Sequence, residues 1–266
     1  MGTRMQKQPQ AEPFDLKVNA MEGIEEALYW HTAGVVTDLG NGLGTATTIR
    51  FRNHCFLLTA NHVVENTFDK DLRFFFRPPG TLKRSDWWQK NPMVGRFEGA
   101  QAIDIFHRFR HPKADVAALV VSPVLPDQCN VRFFELGDVA QLPRPLSSVA
   151  AIGFPVDSRQ HLGRATFVAA HPLWGNVERG RHWRPTDYRP RRNFLLRFLP
   201  ATEGRHPGGY SGAGVWCHRS TPKPGLWSPN IALAGMITHY FPRQQFLLIE
   251  RIETLLSFLR AIAPQR

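Results

Sequence analysis

Three segments of this 266-residue chain carry residue types that could perform chemistry together. Residues 57–62 (LLTANH) are an apolar run that ends in His62, where a strand could present an imidazole to a cleft. Residues 115–121 (DVAALVV) open with Asp115, a carboxylate that needs a partner if it is buried. Residues 208–215 (GGYSGAGV) set Ser211 in a glycine-rich bend. A histidine can activate a serine hydroxyl as a nucleophile, and a carboxylate can orient that histidine.

Each segment alone also has a purely structural interpretation. A histidine after a strand can be a buried structural residue, an aspartate at a strand start can cap a loop, and glycines can form a plain hairpin. Taken together and in this order, the three segments favour chemistry more strongly than each does alone. The glycine-rich bend could also direct two backbone N–H groups at one point, as an oxyanion hole requires.

Together the segments resemble the trypsin/chymotrypsin-like serine peptidases of the PA clan, most closely their bacterial trypsin-like branch. Residues 59–62 match the T-A-x-H motif of the family, 115–119 match D-I-A-L-L, and 209–213 match G-x-S-G-G. Residues 44–47 (GTAT) and 233–239 (LAGMITH) resemble the strands before the histidine and after the serine. The resemblance covers about residues 30–263.

This resemblance implies a serine endopeptidase that works through an acyl-enzyme intermediate. Ser211 would be the nucleophile, His62 the general base and Asp115 the group that orients the imidazole. The backbone N–H groups of Gly209 and Ser211 would form the oxyanion hole. Thr238 stands where the family often has a serine that hydrogen-bonds the catalytic aspartate.

The resemblance also implies a substrate-binding set around the serine. Arg205, followed by His206, stands where the family places the base of the specificity pocket, which predicts a preference for acidic side chains. Tyr240 lies where it could narrow the mouth of the pocket, which would favour small side chains instead. Thr238 and His239 complete the predicted substrate-binding residues.

Three positions depart from the family pattern. Tyr210 replaces the acidic residue that pairs with a new N-terminus in secreted members, which argues against that activation switch. Val63 follows the histidine where many secreted members have a cysteine. Ala213 replaces the second glycine of S-G-G, and its methyl group must be accommodated in the loop.

Other catalytic arrangements fit the sequence less well. The α/β-hydrolases need an Asp or Glu between the serine and the histidine, and the only carboxylates after Ser211 are Glu250 and Glu253, on the predicted terminal helix. The pairs 54–55 (HC) and 217–218 (CH) lack the spacing of zinc ligands. We therefore expect neither a metal nor a cofactor. A small-ester hydrolase with the same triad, and a non-catalytic scaffold that binds peptide or nucleic acid, are the alternatives.

The composition is that of a globular protein, with 42% hydrophobic and 21% charged residues. No apolar run reaches the ~20 residues of a membrane span. The formal net charge is 33 − 22 = +11. The densest basic stretch, residues 179–192, interleaves arginines with Trp183 and Tyr188, as single-stranded nucleic-acid grooves do. A solvated surface insertion is the favoured interpretation, and the same charge could also steer acidic protein substrates.

We expect a cytoplasmic protein, because the polar residues 1–20 do not resemble a signal peptide. Three scattered cysteines predict reduced thiols rather than a disulfide framework. The partner we expect is a protein or peptide substrate, and an activating partner protein is a further hypothesis.

The sequence predicts an all-β protein of two six-stranded antiparallel β-barrels with a C-terminal helix over 250–263. The organisation is a flexible tail over 1–20, a first lobe over 21–140 and a second lobe over 147–266, with a proline-rich link at 141–146. The predicted strands are Thr32–Thr37, Gly44–Arg52, His54–Ala60, Asp71–Arg77, Ala102–Phe109, Asp115–Ser122, Ser147–Phe154, Arg164–His171, Asn193–Leu199, Gly212–His218, Ile231–Phe241 and Gln245–Ile249.

Overall fold

The structure is a computed structural model. The residues it describes are 23–37, 43–76, 96–98, 100–129, 131–140, 142, 146, 148–158, 160–162, 165–178, 185, 188–198, 206–218 and 230–263. The predicted tail, Arg205 and most of the basic stretch 179–192 lie outside these residues.

The first half of the chain builds one sheet. The strands of this half are β1 (Thr32–Thr37), β2 (Leu43–Phe51), β3 (His54–Thr59), β4 (Leu72–Phe75), β5 (Arg96–Glu98), β6 (Ile105–Arg110), β7 (Ala117–Val121) and β8 (Phe134–Leu136). All of them except β5 belong to this sheet. Its helices are α1 (residues 23–29), α2 (Asn61–Val64) and α3 (Leu125–Gln128), with a 3₁₀ turn at Asp69–Asp71. The antiparallel order is β4-β1-β2-β3-β7-β6, and β8 adds a short parallel pairing to β2.

The second half builds another six-stranded antiparallel sheet. The elements of this half are β9 (Ser148–Gly153), β10 (Gln160–Leu162), β11 (Ala165–Ala169), β12 (His171–Asn176), β13 (Asn193–Arg197), β14 (Gly214–His218), β15 (Ile231–Phe241), β16 (Phe246–Arg251) and α4 (Ile252–Ile262), with a 3₁₀ turn at Val156–Ser158. The strands β10 and β11 lie outside the six-stranded sheet. The order is β12-β9-β14-β15-β16-β13. A small separate sheet, β10-β11-β5, pairs segments from the two halves. The predicted fold class, two six-stranded antiparallel sheets and a C-terminal helix, is confirmed.

The apolar run of β3 is continuous because both faces of the strand are buried. Leu57 points into a core enclosed by the first sheet, whereas Phe56 and Leu58 point into a larger core shared with the second sheet. A strand covered on both faces has no solvent side and therefore no polar alternation. The same division holds in β14, where Val215 faces the core of the second sheet and Trp216 faces the shared core.

Both helices at the ends of the described chain close the shared core. Leu28 of α1 is fully buried there, together with apolar residues spaced along α4. Arg52, in the tight β2–β3 turn, donates to the carbonyl of Ala263 just beyond α4, and its guanidinium also pairs with Asp138 at 3.1 Å. These contacts fix the end of α4 against the first sheet. None of the helices in the described ranges is long and apolar enough to cross a bilayer.

Trp216 is the largest fully buried side chain among the described residues, and it belongs to the shared core. Its ring meets Phe134 edge-on, with the centroids 4.8 Å apart, and lies 5.8 Å from the ring of His31. Trp216 belongs to the second sheet and Phe134 to the first. This contact therefore ties the two halves of the molecule together.

We expect Trp216→Ala to lower the free energy of unfolding by about 3–5 kcal/mol, because it leaves a cavity between the two sheets. Chemical denaturation followed by circular dichroism measures the change. Phe68→Ala removes an aromatic ring that is 74% exposed and should change the free energy by less than about 0.5 kcal/mol. Equal losses in both variants would show that the shared core does not limit stability.

Candidate active site

His62 and Asp115 lie together at one edge of the first sheet. The Nδ1 atom of His62 is 2.6 Å from Oδ2 of Asp115, and the backbone N–H of His62 donates to Oδ1 at 3.0 Å. Both carboxylate oxygens are therefore used. The side chains are 42% and 34% exposed, so the pair borders solvent and can be reached by a ligand.

Strand pairing explains why residues 53 positions apart meet. The antiparallel neighbours β3 and β7 are in register with Thr59 opposite Ala117. His62 follows the end of β3 and Asp115 precedes the start of β7, so both leave the sheet at the same edge. The short helix α2 then turns the backbone of His62 towards the carboxylate.

The contact between His62 and Asp115 shifts their two pKa values in opposite directions. The hydrogen bond to Asp115 raises the pKa of His62 above its ordinary value of 6.5, against a smaller opposing effect of burial. Burial alone would raise the pKa of Asp115, but the hydrogen bonds and charge of His62 outweigh it and lower the pKa. The carboxylate is thus ionised near neutral pH and can only accept, which places the proton of a neutral His62 on Nδ1. Nε2 is left as a base.

The loop that carries Ser211 is fastened to the first sheet by two threonines of β2. The backbone N–H of Thr45 donates to the carbonyl of Ser211 at 2.9 Å, and the Thr45 hydroxyl donates to the carbonyl of Gly209 at 2.7 Å. The hydroxyl of Thr47 donates to the carbonyl of Gly212 at 3.0 Å. The structure therefore places the serine loop of the second half against β2, the neighbour of the strand β3 that leads to His62.

Two glycines are required for this approach. Gly209 and Gly212 adopt φ of +96° and +94°, a conformation that side chains disfavour. A Cβ at Gly209 would lie 2.0 Å from the carbonyl oxygen of Phe154, and one at Gly212 would lie 1.9 Å from the carbonyl oxygen of Thr45. No larger residue fits either position without moving the backbone.

The departures at Tyr210 and Ala213 are accommodated by packing. The ring of Tyr210 is buried in the core of the second sheet, and its hydroxyl donates to the carbonyl of His171 at 3.3 Å. Gly153 leaves room for this ring, because a Cβ there would lie 2.5 Å from Tyr210 Cδ1. Ala213 is fully buried in the same core. Hydrophobic packing thus holds the residue before Ser211.

Two backbone donors in the serine loop have no acceptor among the described residues. Within the described part of the chain, the N–H groups of Gly209 and Ser211 make no hydrogen bond. The carbonyl of Gly208 accepts from the N–H of Val156 at 2.8 Å. Since a trans peptide points its N–H away from its C=O, the N–H of Gly209 is directed away from Val156.

Ser211 and His62 are not directly bonded. Among the hydrogen bonds between described residues, none joins the Ser211 hydroxyl to the imidazole of His62. Such bonds are often long in unliganded hydrolases and shorten when substrate binds.

The predicted substrate-binding residues do not form one common surface: His206 and Thr238 bond to separate parts of the backbone. Arg205 lies outside the described residues. The exposed His206 turns back on its own loop, where its Nδ1 accepts from the N–H of Gly208 at 3.0 Å. The buried hydroxyl of Thr238 donates to the carbonyl of Leu248 at 3.3 Å, so the expected bond to Asp115 is wrong. Leu248 lies on the neighbouring strand β16, and its carbonyl accepts the one hydrogen bond that the Thr238 hydroxyl can donate.

His239 and Tyr240 flank the site on β15. His239 is exposed near Asp115, and its charge contributes to the lowered pKa of that carboxyl. Tyr240 is half-buried, with its ring centroid 5.7 Å from that of Phe198, and burial raises its pKa. His239 is therefore close enough to Asp115 to contact a ligand there, whereas Tyr240 packs against the core of the second sheet.

A cavity of about 270 Å³ beside Asp115 was not predicted from the sequence. Its lining includes Lys113, Arg189 and Arg192. Arg192 donates to the carbonyl of Lys113 at 2.7 Å and to the buried Glu250 at 3.2 Å. One arginine of the basic stretch 179–192 is thus used in an internal ion pair. The pairing of Arg192 with Glu250 depends on their proximity in the folded chain, and local sequence patterns do not contain that information.

The three cysteines, Cys55, Cys129 and Cys217, are buried free thiols. Within the described ranges, no cluster of three His, Cys, Asp or Glu side chains could hold a metal ion.

Comparison with solved structures places this architecture among the trypsin-like proteases. An inactivated protease paralogue of the scabies mite, SMIPP-S-I1, superposes with a TM-score of 0.56 at 15% identity, covering 91% of this chain and 97% of the other. The inactive form of the protease Rv3671c of M. tuberculosis gives 0.52 at 16% identity, covering 96% and 100%. The HtrA-type protease AlgW, solved with a tripeptide, gives 0.54 at 16% identity, covering 91% of this chain and 63% of its own.

No protein-family model matches the sequence, and no curated protein matches it. Identities of 15–16% establish the fold and nothing finer. The fold that the three motifs predicted is confirmed: the chain has the trypsin-like peptidase fold.

Proposed function

We propose that this protein is a serine endopeptidase with the triad His62, Asp115 and Ser211. The observation that carries the proposal is the 2.6 Å contact between His62 and Asp115 at the edge where the serine loop is fastened. Nucleophilic catalysis needs a base, a group that orients the base, and a hydroxyl presented beside them.

The chemistry follows from the positions of the protons. Neutral His62 accepts the hydroxyl proton on Nε2 while Ser211 Oγ attacks the carbonyl carbon of the peptide bond. His62 then passes the proton to the leaving amine, and Ser211 keeps the acyl group. Water, deprotonated by His62, attacks the ester carbonyl, and His62 then returns that proton to Ser211 Oγ as the acid product leaves. Asp115 stays ionised throughout and stabilises the imidazolium.

The backbone of the serine loop supplies the oxyanion hole in this proposal. The unpaired N–H groups of Gly209 and Ser211 are the donors that would hold the negative oxygen of the tetrahedral intermediate. Fixed donors of this kind need no reorganisation during the reaction. The positive φ of Gly209 makes this backbone geometry accessible.

A non-catalytic scaffold that binds peptide is the alternative, and one observation favours it. No hydrogen bond joins Ser211 to His62. The scabies mite protein of the same fold is an inactivated protease paralogue. The intact His–Asp pair favours the enzyme, because a binding scaffold has no need of an oriented imidazole.

We propose that the substrates carry an acidic side chain next to the cleaved bond. The ground for this is Arg205, which stands six residues before Ser211. The cations Lys113 and Arg189 line the cavity beside Asp115 and add positive charge to the surroundings of the cleft, whereas the charge of Arg192 is balanced by Glu250. We propose a protein or peptide as the substrate and the cytoplasm as the location.

Labelling with a fluorophosphonate probe tests the nucleophile without knowledge of the substrate. The probe forms a covalent bond with an activated serine oxygen and loses fluoride. We expect the intact protein to be labelled and Ser211→Ala to lose labelling completely. Ser148→Ala is the matched control, because Ser148 is exposed and its hydroxyl already bonds Asn176 at 3.0 Å. Undiminished labelling of Ser211→Ala would exclude Ser211 as the nucleophile. An unlabelled intact protein would favour the binding scaffold.

Asp115→Asn should lower the labelling rate by about 10⁴-fold, the typical cost of replacing a triad aspartate, because the amide no longer imposes the Nδ1–H tautomer.

Removing the carboxylate in Asp115→Asn should also lower the pKa of His62 from its raised value. Since only neutral His62 acts as a base, activity is lost as the pH falls through this pKa. NMR titration of the His62 ring in Ser211→Ala, with and without Asp115→Asn, measures the shift.

Asp127→Asn is the control for the titration, since Asp127 is an exposed carboxylate on α3. It should leave the pKa of His62 and the labelling rate unchanged. An unchanged His62 titration in Asp115→Asn would show that the pair is not formed in solution.

Arg205→Asp tests the acidic preference. We expect cleavage of a peptide library to move from acidic towards basic residues at the position next to the cleaved bond. An unchanged preference would exclude Arg205 as the base of the specificity pocket.

A further inference from the structure

The segment before Ser211 is held by His206 through a bond that the triad mechanism does not use. The N–H of Gly208 donates to Nδ1 of His206 at 3.0 Å. The backbone N–H of His206 donates to Oδ2 of Asp157 at 2.8 Å, which fixes His206 to the 3₁₀ turn at Val156–Ser158. The ring lies tightly over the loop, since a Cβ at Gly208 would lie 2.9 Å from Nδ1.

These bonds determine the direction of the peptide that presents the Gly209 N–H. On one side of Gly208, the N–H is held by His206. On the other side, the Gly208 carbonyl is held by the N–H of Val156 at 2.8 Å. Both peptide planes at Gly208 are therefore fixed. A glycine without these bonds has wide conformational freedom, and rotation of either plane would redirect the Gly209 N–H.

We propose that His206 is a positioning residue for the oxyanion hole: its neutral imidazole accepts the Gly208 N–H and thereby directs the Gly209 N–H at the reacting carbonyl oxygen. This inference rests on the proposed peptidase function. It assigns His206 a role on the loop itself rather than in the specificity pocket.

Protonation of the ring removes this acceptor, because both nitrogens of an imidazolium are donors. The Gly208 N–H then faces a donor, and the bond cannot form. Asp157 is the charged group that contacts His206 within the described part of the chain, and it bonds the backbone rather than the ring.

Two substitutions of His206 distinguish the effect of its hydrogen-bond acceptor from the effect of the imidazole ring as a whole. His206→Asn places Oδ1 at the same distance from Cβ as Nδ1, and asparagine readily accepts from an N–H two residues ahead. It keeps the acceptor but cannot be protonated. His206→Ala removes the acceptor. At pH 8 we expect His206→Ala to lower the rate constant of fluorophosphonate labelling about 3- to 10-fold, the worth of one hydrogen bond, and His206→Asn to restore most of that loss.

The conservative variant provides the readout that a purely structural role would not give. His206→Asn should be labelled close to the wild-type rate, because it keeps an acceptor for the Gly208 N–H. Failure of His206→Asn to restore labelling, or a His206→Ala variant that is labelled at the wild-type rate, would overturn the proposal. For a peptide substrate the loss should fall on kcat, with KM little changed.

Amide hydrogen exchange makes the test independent of catalysis. The Gly208 N–H should be protected in the wild-type protein and in His206→Asn, and should exchange faster in His206→Ala. Equal exchange in all three would refute the placement of the loop, whatever the labelling shows. An unlabelled wild-type protein with the expected exchange pattern would refute the peptidase function and this catalytic role, while leaving the placement of Gly208 supported.

Discussion

The candidate site depends on hydrogen bonds that cross from one sheet to the other at Thr45. Its backbone N–H and its hydroxyl hold the carbonyls of Ser211 and Gly209, and its own carbonyl accepts from Thr59 at 2.7 Å. Thr59 stands three residues before His62, so a short chain of buried bonds links the serine loop to the strand that carries the histidine. Bonds of this kind are strengthened by the low local dielectric, and leaving one of the partners unsatisfied is costly.

These bonds can be precise only because the two sheets share a core. Phe56 and Leu58 from the first sheet, and Trp216 from the second, fill the same volume with α1 and α4. Close-packed interiors resist changes of even one methylene group, so the sheets cannot slide over each other without opening cavities. The position of the serine loop relative to His62 is therefore set by side chains distant from the chemistry.

Sequence patterns predicted the strands that pack on both faces, and missed short pairings and local reversals. Thr32–Thr37 and Ile231–Phe241 begin and end as predicted, because turn residues bound clear apolar runs. The three-residue strands β5, β8 and β10 carry too few residues for a periodic signal. The pairing of His62 with Asp115 could be inferred from motif order. The turned-back ring of His206, the bond of Thr238 to Leu248 and the Arg192–Glu250 pair depend on neighbours distant in the chain, which no local pattern encodes.

The place of α4 in the chain has a consequence for biosynthesis. The ribosome makes both sheets before it makes Ile252–Ile262, yet five apolar side chains of this helix belong to the core that joins the sheets: Ile252, Leu255, Leu256, Phe258 and Leu259. A nascent chain therefore holds all three triad candidates while an apolar groove between its sheets is still open. Correct registration of the serine loop against Thr45 must wait for the helix. The candidate active site can therefore reach its final geometry only after this helix has packed against both sheets.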